Sequence, residues 1–442
     1  MIIICLILIF ALSVLDYSAS TFFFLCVIYF LGMVYSLTIP KEYKEYRVRL
    51  FNRVFPVYIV SALVVSVSFS ISDYYLVSDS SRYIEYYVQR TQMFFDSEDL
   101  YKCYFEFSDS NLLYNAYLNV MAVFANTKLD GMTVFGMTLL QTVWGILSSI
   151  VLFRILARHI EVDKAFRYTL IFSFCSLFLF YSTVIIRDII ICFLYLCAFD
   201  IVDRKFSLLG VLKLLILVIL AWGIRLYSGI FMVAFLSYYI YVRFRNSQLK
   251  SVATILFAAV IIAAGVGLMA SSLMEQTTAE LQGYEELSAE RSAGGFVSKL
   301  QSLPPGISHL AIVLFTMIRP LPPLGIYIGA ETFSNFMMST MYLIAGFFWF
   351  VVFYSLCYKL FVQKYIFKIS FETVVLLIVC LVFLLANASH PDIRRMLPVF
   401  PVLFTQYAIL CEHENETLFG WKTPKLLMSI YVALAIGLLM VM

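Results

Sequence analysis

Arginine recurs in this 442-residue chain at places where an apolar sequence has reason to avoid it. "YSTVIIRDIIICF" carries Arg187 beside Asp188, and "LAWGIRLYSGIF" carries Arg225. "LFTMIRPLPPLG" carries Arg319, and "ANASHPDIRRMLPVF" carries Arg394 and Arg395 behind His390. Each lies in a short gap between apolar runs. Holding a guanidinium against hydrocarbon costs about 3 kcal/mol on insertion scales. Arginine is worth that cost where its planar fork must grip phosphate or carboxylate, which lysine cannot do in the same way. None of the four places uses lysine. One shared anionic ligand explains them together: a lipid-linked phosphate or pyrophosphate at the membrane edge. The plainer reading takes each arginine singly, snorkelling to headgroups or pairing with a neighbour, Arg187 with Asp188 and Arg394 with Asp392. His390 could donate to phosphate or move a proton, although a lone histidine at a helix end is more often structural.

A second group of chemistry-bearing residues lies in "SDYYLVSDSSRYIEYYVQRTQMFFDSEDLYKCYFEFSDSNLLYNAY". Nine of the chain's 30 tyrosines fall between Asp73 and Tyr117. A tyrosine offers an apolar face and a hydrogen-bonding tip, which suits sugar rings as well as membrane interfaces. An interfacial belt accounts for two or three of the nine. "SDSSRYIEYYVQR" has helical spacing, with Arg82, Tyr83, Glu85, Tyr86 and Tyr87 on adjacent turns. Asp79 stands at its start, where an aspartate caps a helix or, equally, deprotonates a bound hydroxyl. Glu85 is the second candidate for that base and Asp188 the third, the last more naturally as an ion pair that orients Arg187. Most of the loop's eight acidic residues simply solvate it.

The elements that must position these groups follow from composition. The chain is 62% hydrophobic and 13% charged, against roughly 25% charged in soluble domains. An all-α polytopic membrane protein is expected, one integral domain over 1–442, with the bilayer as solvent. Apolar runs fall near 2–15, 20–39, 54–72, 132–153, 168–186, 189–202, 208–222, 228–242, 251–272, 335–357, 371–387, 396–411 and 426–442, about 13 transmembrane helices. Stretches 111–126 and 308–330 have polar or proline breaks and read as re-entrant or interfacial. "MIIICLILIFALSVL" lacks a basic flank and reads as a first membrane helix, not a cleaved leader. Basic segments 41–53 and 154–167, with Arg243, Arg245, Lys250, Lys359, Lys364 and Lys368, fall on one side and mark it as cytoplasmic. The arginine turns then lie outside, with loops 73–131 and 273–334. "GGFVSKLQSLPPG" and the helix-like charge before it read as a mobile cover over 273–307. "IRPLPPLG" breaks a helix at membrane depth, which is tolerated where backbone lines a cavity or is buried in protein. Nine cysteines lie scattered without a C-x-x-C or other metal spacing, so no metal and no cofactor is expected. No soluble domain is expected, and no nucleic acid as a partner.

Many short spans, an early Asp/Tyr-rich loop, "STVIIRD", "GIRLYSG", a late "IRPLP" and "RRMLPVFPVLF" resemble the bacterial O-antigen polymerase (Wzy) and EpsG-like group of membrane proteins. The likeness is one of pattern over most of the chain, with no rigid signature. It implies a glycosyltransferase of GT-C-like architecture in the bacterial inner membrane. Such an enzyme joins undecaprenyl-pyrophosphate-linked oligosaccharide repeat units at the outer face, with membrane lipid around it and a chain-length regulator as a partner protein. The family's functional arginines would fall on Arg187, Arg225, Arg319 and Arg394 or Arg395. The O-antigen ligases are a related reading, and this chain offers them His309 and His390. A GT-C transferase using a polyprenyl-monophosphate sugar is another. A lipid-linked oligosaccharide flippase is the non-enzymatic alternative, and it would want midplane charge open to both sides. Here Lys213 is the main ionisable residue of the inner half.

Overall fold

The computed structural model describes residues 2–15, 19–38, 43–71, 113–114, 116–117, 134–244, 296–304, 306–318, 333–388 and 393–441. The described residues form helices and no strands. In chain order they are α1 (Ile2–Leu15), α2 (Ala19–Thr38), α3 (Lys44–Ile71), α4 (Val134–Leu156), α5 (Val162–Cys175), α6 (Leu177–Ser182), α7 (Asp188–Val202), α8 (Leu208–Ile224) and α9 (Leu226–Phe244). There follow α10 (Phe296–Gln301), α11 (Ile307–Ile318), α12 (Phe333–Cys357), α13 (Phe371–Ala386), α14 (Ile393–Met396), α15 (Phe400–His413) and α16 (Lys422–Val441). Three helical stretches are long and apolar enough to cross a bilayer: Lys44–Ser66, Thr138–Leu156 and Leu343–Val362. Shorter apolar helices stand beside them, and the expected span 251–272 lies outside the described residues. Leucine and isoleucine line the outer face of α8, with Leu208 81% and Ile219 67% exposed. A surface of that kind is stable against lipid, not water. The described residues are all-helical, with the apolar helices of a membrane protein.

Three helices meet at one asparagine. Pro56 inside α3 has no N–H, so it leaves the Asn52 carbonyl without its usual helical donor. The Cys5 thiol of α1 approaches that carbonyl at 3.7 Å. The Asn52 side chain accepts from Tyr29 of α2 at 2.8 Å and donates to the Val48 carbonyl at 2.8 Å. α3 begins ten residues before the apolar run expected at 54–72. Its basic first turns stay helical because Arg47 donates to the Ser36 carbonyl at 3.2 Å and Arg53 stacks over Phe166 at 5.2 Å.

The run expected as one span over 168–186 is broken. α5 stops at Cys175, Ser176 is extended (φ −98, ψ 165), and α6 ends at Ser182. The Ser176 hydroxyl caps α6 by accepting from the Phe178 N–H at 3.2 Å. The break lets α6 press on α4 at Gly145, where a Cβ would stand 2.1 Å from the Ser182 hydroxyl.

Charged residues mark one end of the bundle. Tyr46 donates to Asp163 at 2.9 Å, Arg158 pairs with Asp200 and Asp203 at 2.8 and 2.7 Å, and Lys164 pairs with Glu412 at 2.9 Å. The described part of the basic segment 41–53 and the segment 154–167 therefore share this end. Asp188 lies twelve residues from Asp200 along α7, about 18 Å towards the opposite end. Tyr354 of α12 donates to the Leu314 carbonyl at 2.9 Å, which sets the middle of α11 towards the Lys359 end of α12. Of the expected cover over 273–307, residues 273–295 lie outside the described residues, and the described residues from 296 on form α10 and lead into α11.

Lys359 is fully buried where α12 runs into a π-helical turn, Tyr358–Val362. It pairs with Glu414 and with Glu416 (2.7 Å) and lies 4.3 Å from the Trp421 ring. Lys359→Met strands two carboxylates. The expected loss is about 2–3 kcal/mol, below the 3–5 typical of wholly buried pairs because both glutamates are part exposed. Partial burial pushes the Glu414 carboxyl up, but hydrogen bonds from Lys359 and Tyr365 outweigh this and hold it below the usual glutamate range. Its contribution is therefore full above the ordinary glutamate value and fades as pH falls through the depressed folded one. Thermal unfolding in detergent at pH 7 and in acid checks both points. A wild-type midpoint for Lys359→Met at pH 7 would remove the buried lysine as a stabilising group.

Candidate anion-binding site

The opposite end of the bundle is built from three sequence-distant turns. The first follows α6. Thr183 closes that helix, and its hydroxyl donates to the Phe180 carbonyl at 2.7 Å. Val184, Ile185 and Ile186 are non-helical and buried. The amide of Gln141, fully buried in α4, donates to the Ile186 carbonyl and holds the turn. Arg187 is then the N-cap of α7, its carbonyl accepting from Ile190 and Ile191. Asp188 occupies the first helical position, where the helix dipole favours a carboxylate.

The second turn is a corner one residue long. Arg225 is extended (φ −160, ψ 117) between α8 and α9. Its N–H donates to the Ala221 carbonyl at 2.9 Å, and its own carbonyl accepts from Ser228 at 2.9 Å, so it closes one helix and opens the next. The tight corner requires Gly229, where a Cβ would stand 2.7 Å from Trp222. Tyr195 donates to the Ser228 carbonyl at 2.9 Å and fastens the corner to α7 two turns below Asp188. The third turn is α14, which leads through the 3-10 turn Leu397–Val399, packed along α7, into α15.

These turns meet at Asp188. Its Oδ1 accepts from Arg225 Nη1 at 2.7 Å, and Arg394 Nε lies 3.7 Å from its Oδ2. Arg187 and Arg395 are close enough to act electrostatically on both Asp188 and Arg225. Asp188 is 4% and Arg225 8% exposed. Two guanidinium groups thus flank one carboxylate, with two more near enough to act on it, in a poorly solvated place, where an opposite charge at 4 Å is worth about 4 kcal/mol at an effective dielectric near 20. Arg187, Arg394 and Arg395 each oppose the positive charge of Arg225. An anion placed among them relieves that repulsion.

The end of the tyrosine-rich loop docks beside this site. Leu113 packs on Gly223, two residues from Arg225, where a Cβ would stand 2.4 Å from its Cδ1. Tyr114 is buried, and Tyr117 accepts from Trp144 Nε1 at 3.1 Å. Asp79, Arg82, Tyr83, Glu85, Tyr86, Tyr87, Arg319 and His390 lie outside the described residues. Of the expected site residues, Arg187, Asp188, Arg225, Arg394 and Arg395 come together. The sequence reading missed Gln141 and Tyr195. Gln141 had a signal, a lone amide inside the apolar run "GMTLLQTVWGIL". Tyr195 had none, being one tyrosine among many. Among the described residues no group of three His, Cys, Asp or Glu side chains is placed to hold a metal. No family model, curated protein or solved structure matches this chain.

Proposed function

We propose that this chain is a bacterial inner-membrane glycosyltransferase of GT-C-like architecture that polymerises undecaprenyl-pyrophosphate-linked oligosaccharide repeat units at the outer face. The observation that carries this reading is the convergence of Arg187, Arg225, Arg394 and Arg395 on Asp188 from three separate turns. Guanidinium forks at a membrane edge suit a lipid diphosphate better than a free metabolite, because the diphosphate stays at the depth where they sit.

In this reading the arginines hold the donor's pyrophosphate and Asp188 orients them. The acceptor sugar's hydroxyl oxygen attacks the donor's anomeric carbon. The bond from that carbon to the pyrophosphate oxygen breaks, and the leaving diphosphate keeps the electron pair. Guanidinium charge stabilises it as the negative charge grows. The acceptor's proton passes to an outer-loop carboxylate, Asp79 first and Glu85 second. Arg82, Tyr83, Tyr86 and Tyr87 contact sugar, Arg319 and His390 complete the phosphate site, and a chain-length regulator binds alongside.

Proteoliposomes carrying the purified chain and a lipid-pyrophosphate-linked repeat unit test this. A ladder of elongated lipid-linked glycan is expected from the wild type. Asp79→Asn, which keeps much of the capping ability, is expected to lower its rate at least a hundredfold. Transfer from a polyprenyl-monophosphate sugar with no ladder would replace polymerisation by the other GT-C reaction. Full ladders from Asp79→Asn and Glu85→Gln would remove the single-base step.

A further inference from the structure

A cavity of about 670 Å³ opens at the end of the bundle opposite Asp188, where α7, α9, α13 and α15 meet. None of the residues placed in the proposed transfer reaction lines it. Its floor is apolar, built from residues such as Phe199, Leu376 and Ile409. Its rim is polar and carries Lys368, His159 and His413. The first turn of α13 also faces it, through Ser370, Glu372 and Thr373. Ser370 caps that helix by accepting from the Thr373 N–H at 3.2 Å, and the start of a sixteen-residue helix favours a negative group. Asp203 also lines the cavity, but its carboxylate is taken up by Arg158 and His159 at 2.7 Å each.

An independent sign of a polar occupant comes from the α15 wall. Gln406 lines the cavity and is 8% exposed, yet its amide has no hydrogen-bond partner among the described residues. That amide opens onto the cavity, where a polar group would meet it, and the apolar floor suits hydrocarbon beside that group.

We propose that this cavity binds the phosphate ester headgroup of a membrane phospholipid, with Lys368 and the start of α13 at the phosphate, Gln406 at an ester or glycerol oxygen, and the first acyl carbons on the floor. Glu372 at the rim accommodates an ammonium on the same headgroup. The site sits at the ends of helices, the depth at which phospholipid phosphates lie. It does not depend on the glycosyl-transfer reading, and an inactive protein would still bind.

The test uses the full chain, purified and stripped of lipid in a neutral detergent. Thermal midpoints are measured with added phosphatidylglycerol, phosphatidylethanolamine, glycerol 3-phosphate or inorganic phosphate, and retained lipid is counted by native mass spectrometry. Wild type is expected to retain one phospholipid more than Lys368→Glu or Gln406→Leu, and to bind it at least fivefold more tightly. Lys368 is exposed and rests its ammonium on the Tyr365 ring at 4.6 Å, so the unliganded midpoint of Lys368→Glu is measured beside that of Gln406→Leu to separate lost folding from lost binding. Stabilisation by lipid alone assigns the site to a headgroup. Equal stabilisation by glycerol 3-phosphate keeps the phosphate chemistry but assigns the occupant to a soluble ester and overturns the lipid. A preference for phosphatidylethanolamine that Glu372→Gln removes places the ammonium. Equal lipid retention by wild type, Lys368→Glu and Gln406→Leu overturns the proposal.

Discussion

Arg225→Lys is expected to leave the chain folded and inserted while lowering transfer at least a hundredfold. The substitution keeps the charge and loses the fork. Arg225 already gives Nη1 to Asp188 at 2.7 Å. In the proposed function a phosphate oxygen meets the same fork. An ammonium is a compact point charge and cannot hold both partners in fixed directions. One preorganised donor to a developing oxyanion is typically worth about 2.7–4 kcal/mol, a factor of roughly 10² to 10³ in rate. The backbone of the corner does not need the guanidinium, since it is held by the Ala221, Ser228 and Tyr195 bonds. Fold and catalysis should therefore separate, with a thermal midpoint close to wild type and a collapse in glycan ladder formation. Activity within threefold of wild type would take Arg225 out of the pyrophosphate site.

The residues that were legible in the sequence were those that are expensive where they stand. Arginine in an apolar gap is costly, so Arg187, Arg225, Arg394 and Arg395 pointed to a common purpose before any contact was known. The apolar runs likewise marked most helices, because length and hydrophobicity alone decide whether a segment suits lipid. The breaks were less visible. Nothing in "FSFCSLFLFYS" announces that the helix stops at Ser176, since it holds neither glycine nor proline. What goes with the break is the close seat of α6 against Gly145 of another helix, a contact distant in sequence. The early start of α3 was hidden for the opposite reason. Arg47 and Arg53 look like loop residues until Ser36 and Phe166 are seen to receive them. Gln141 shows the same limit, for its polarity was visible and its partner, the Ile186 carbonyl 45 residues away, was not.

Asp188 has two readings, base or orienting group, and they predict different kinetics. Removing it outright by Asp188→Ala leaves Arg225 and Arg394 without the carboxylate between them. Breaking a buried pair from one side costs about 3–5 kcal/mol, so poor folding is expected and would not separate the roles. Asp188→Asn is the informative change. It keeps the volume and an oxygen that can accept from Arg225, and it removes one negative charge. As an orienting group, Asp188 competes with the substrate's phosphates for the guanidinium groups. Neutralising it raises the local positive potential by about 2–3 kcal/mol for a charge some 6 Å away, at an effective dielectric near 20. The donor should bind about tenfold more tightly or better, while looser arginines stabilise the leaving group less. KM and kcat should fall together. As a base, Asp188 would show a large loss of kcat at unchanged KM, with the acid limb of the pH–rate profile gone. Its hydrogen bond to Arg225 and the nearness of Arg187, Arg394 and Arg395 favour the first outcome. A carboxylate flanked by two guanidinium groups, with two more near, is a poor proton acceptor, and it is well placed to keep those groups apart until a diphosphate arrives. Unchanged KM and kcat in Asp188→Asn would deny it both roles and reduce the pair with Arg225 to a structural contact.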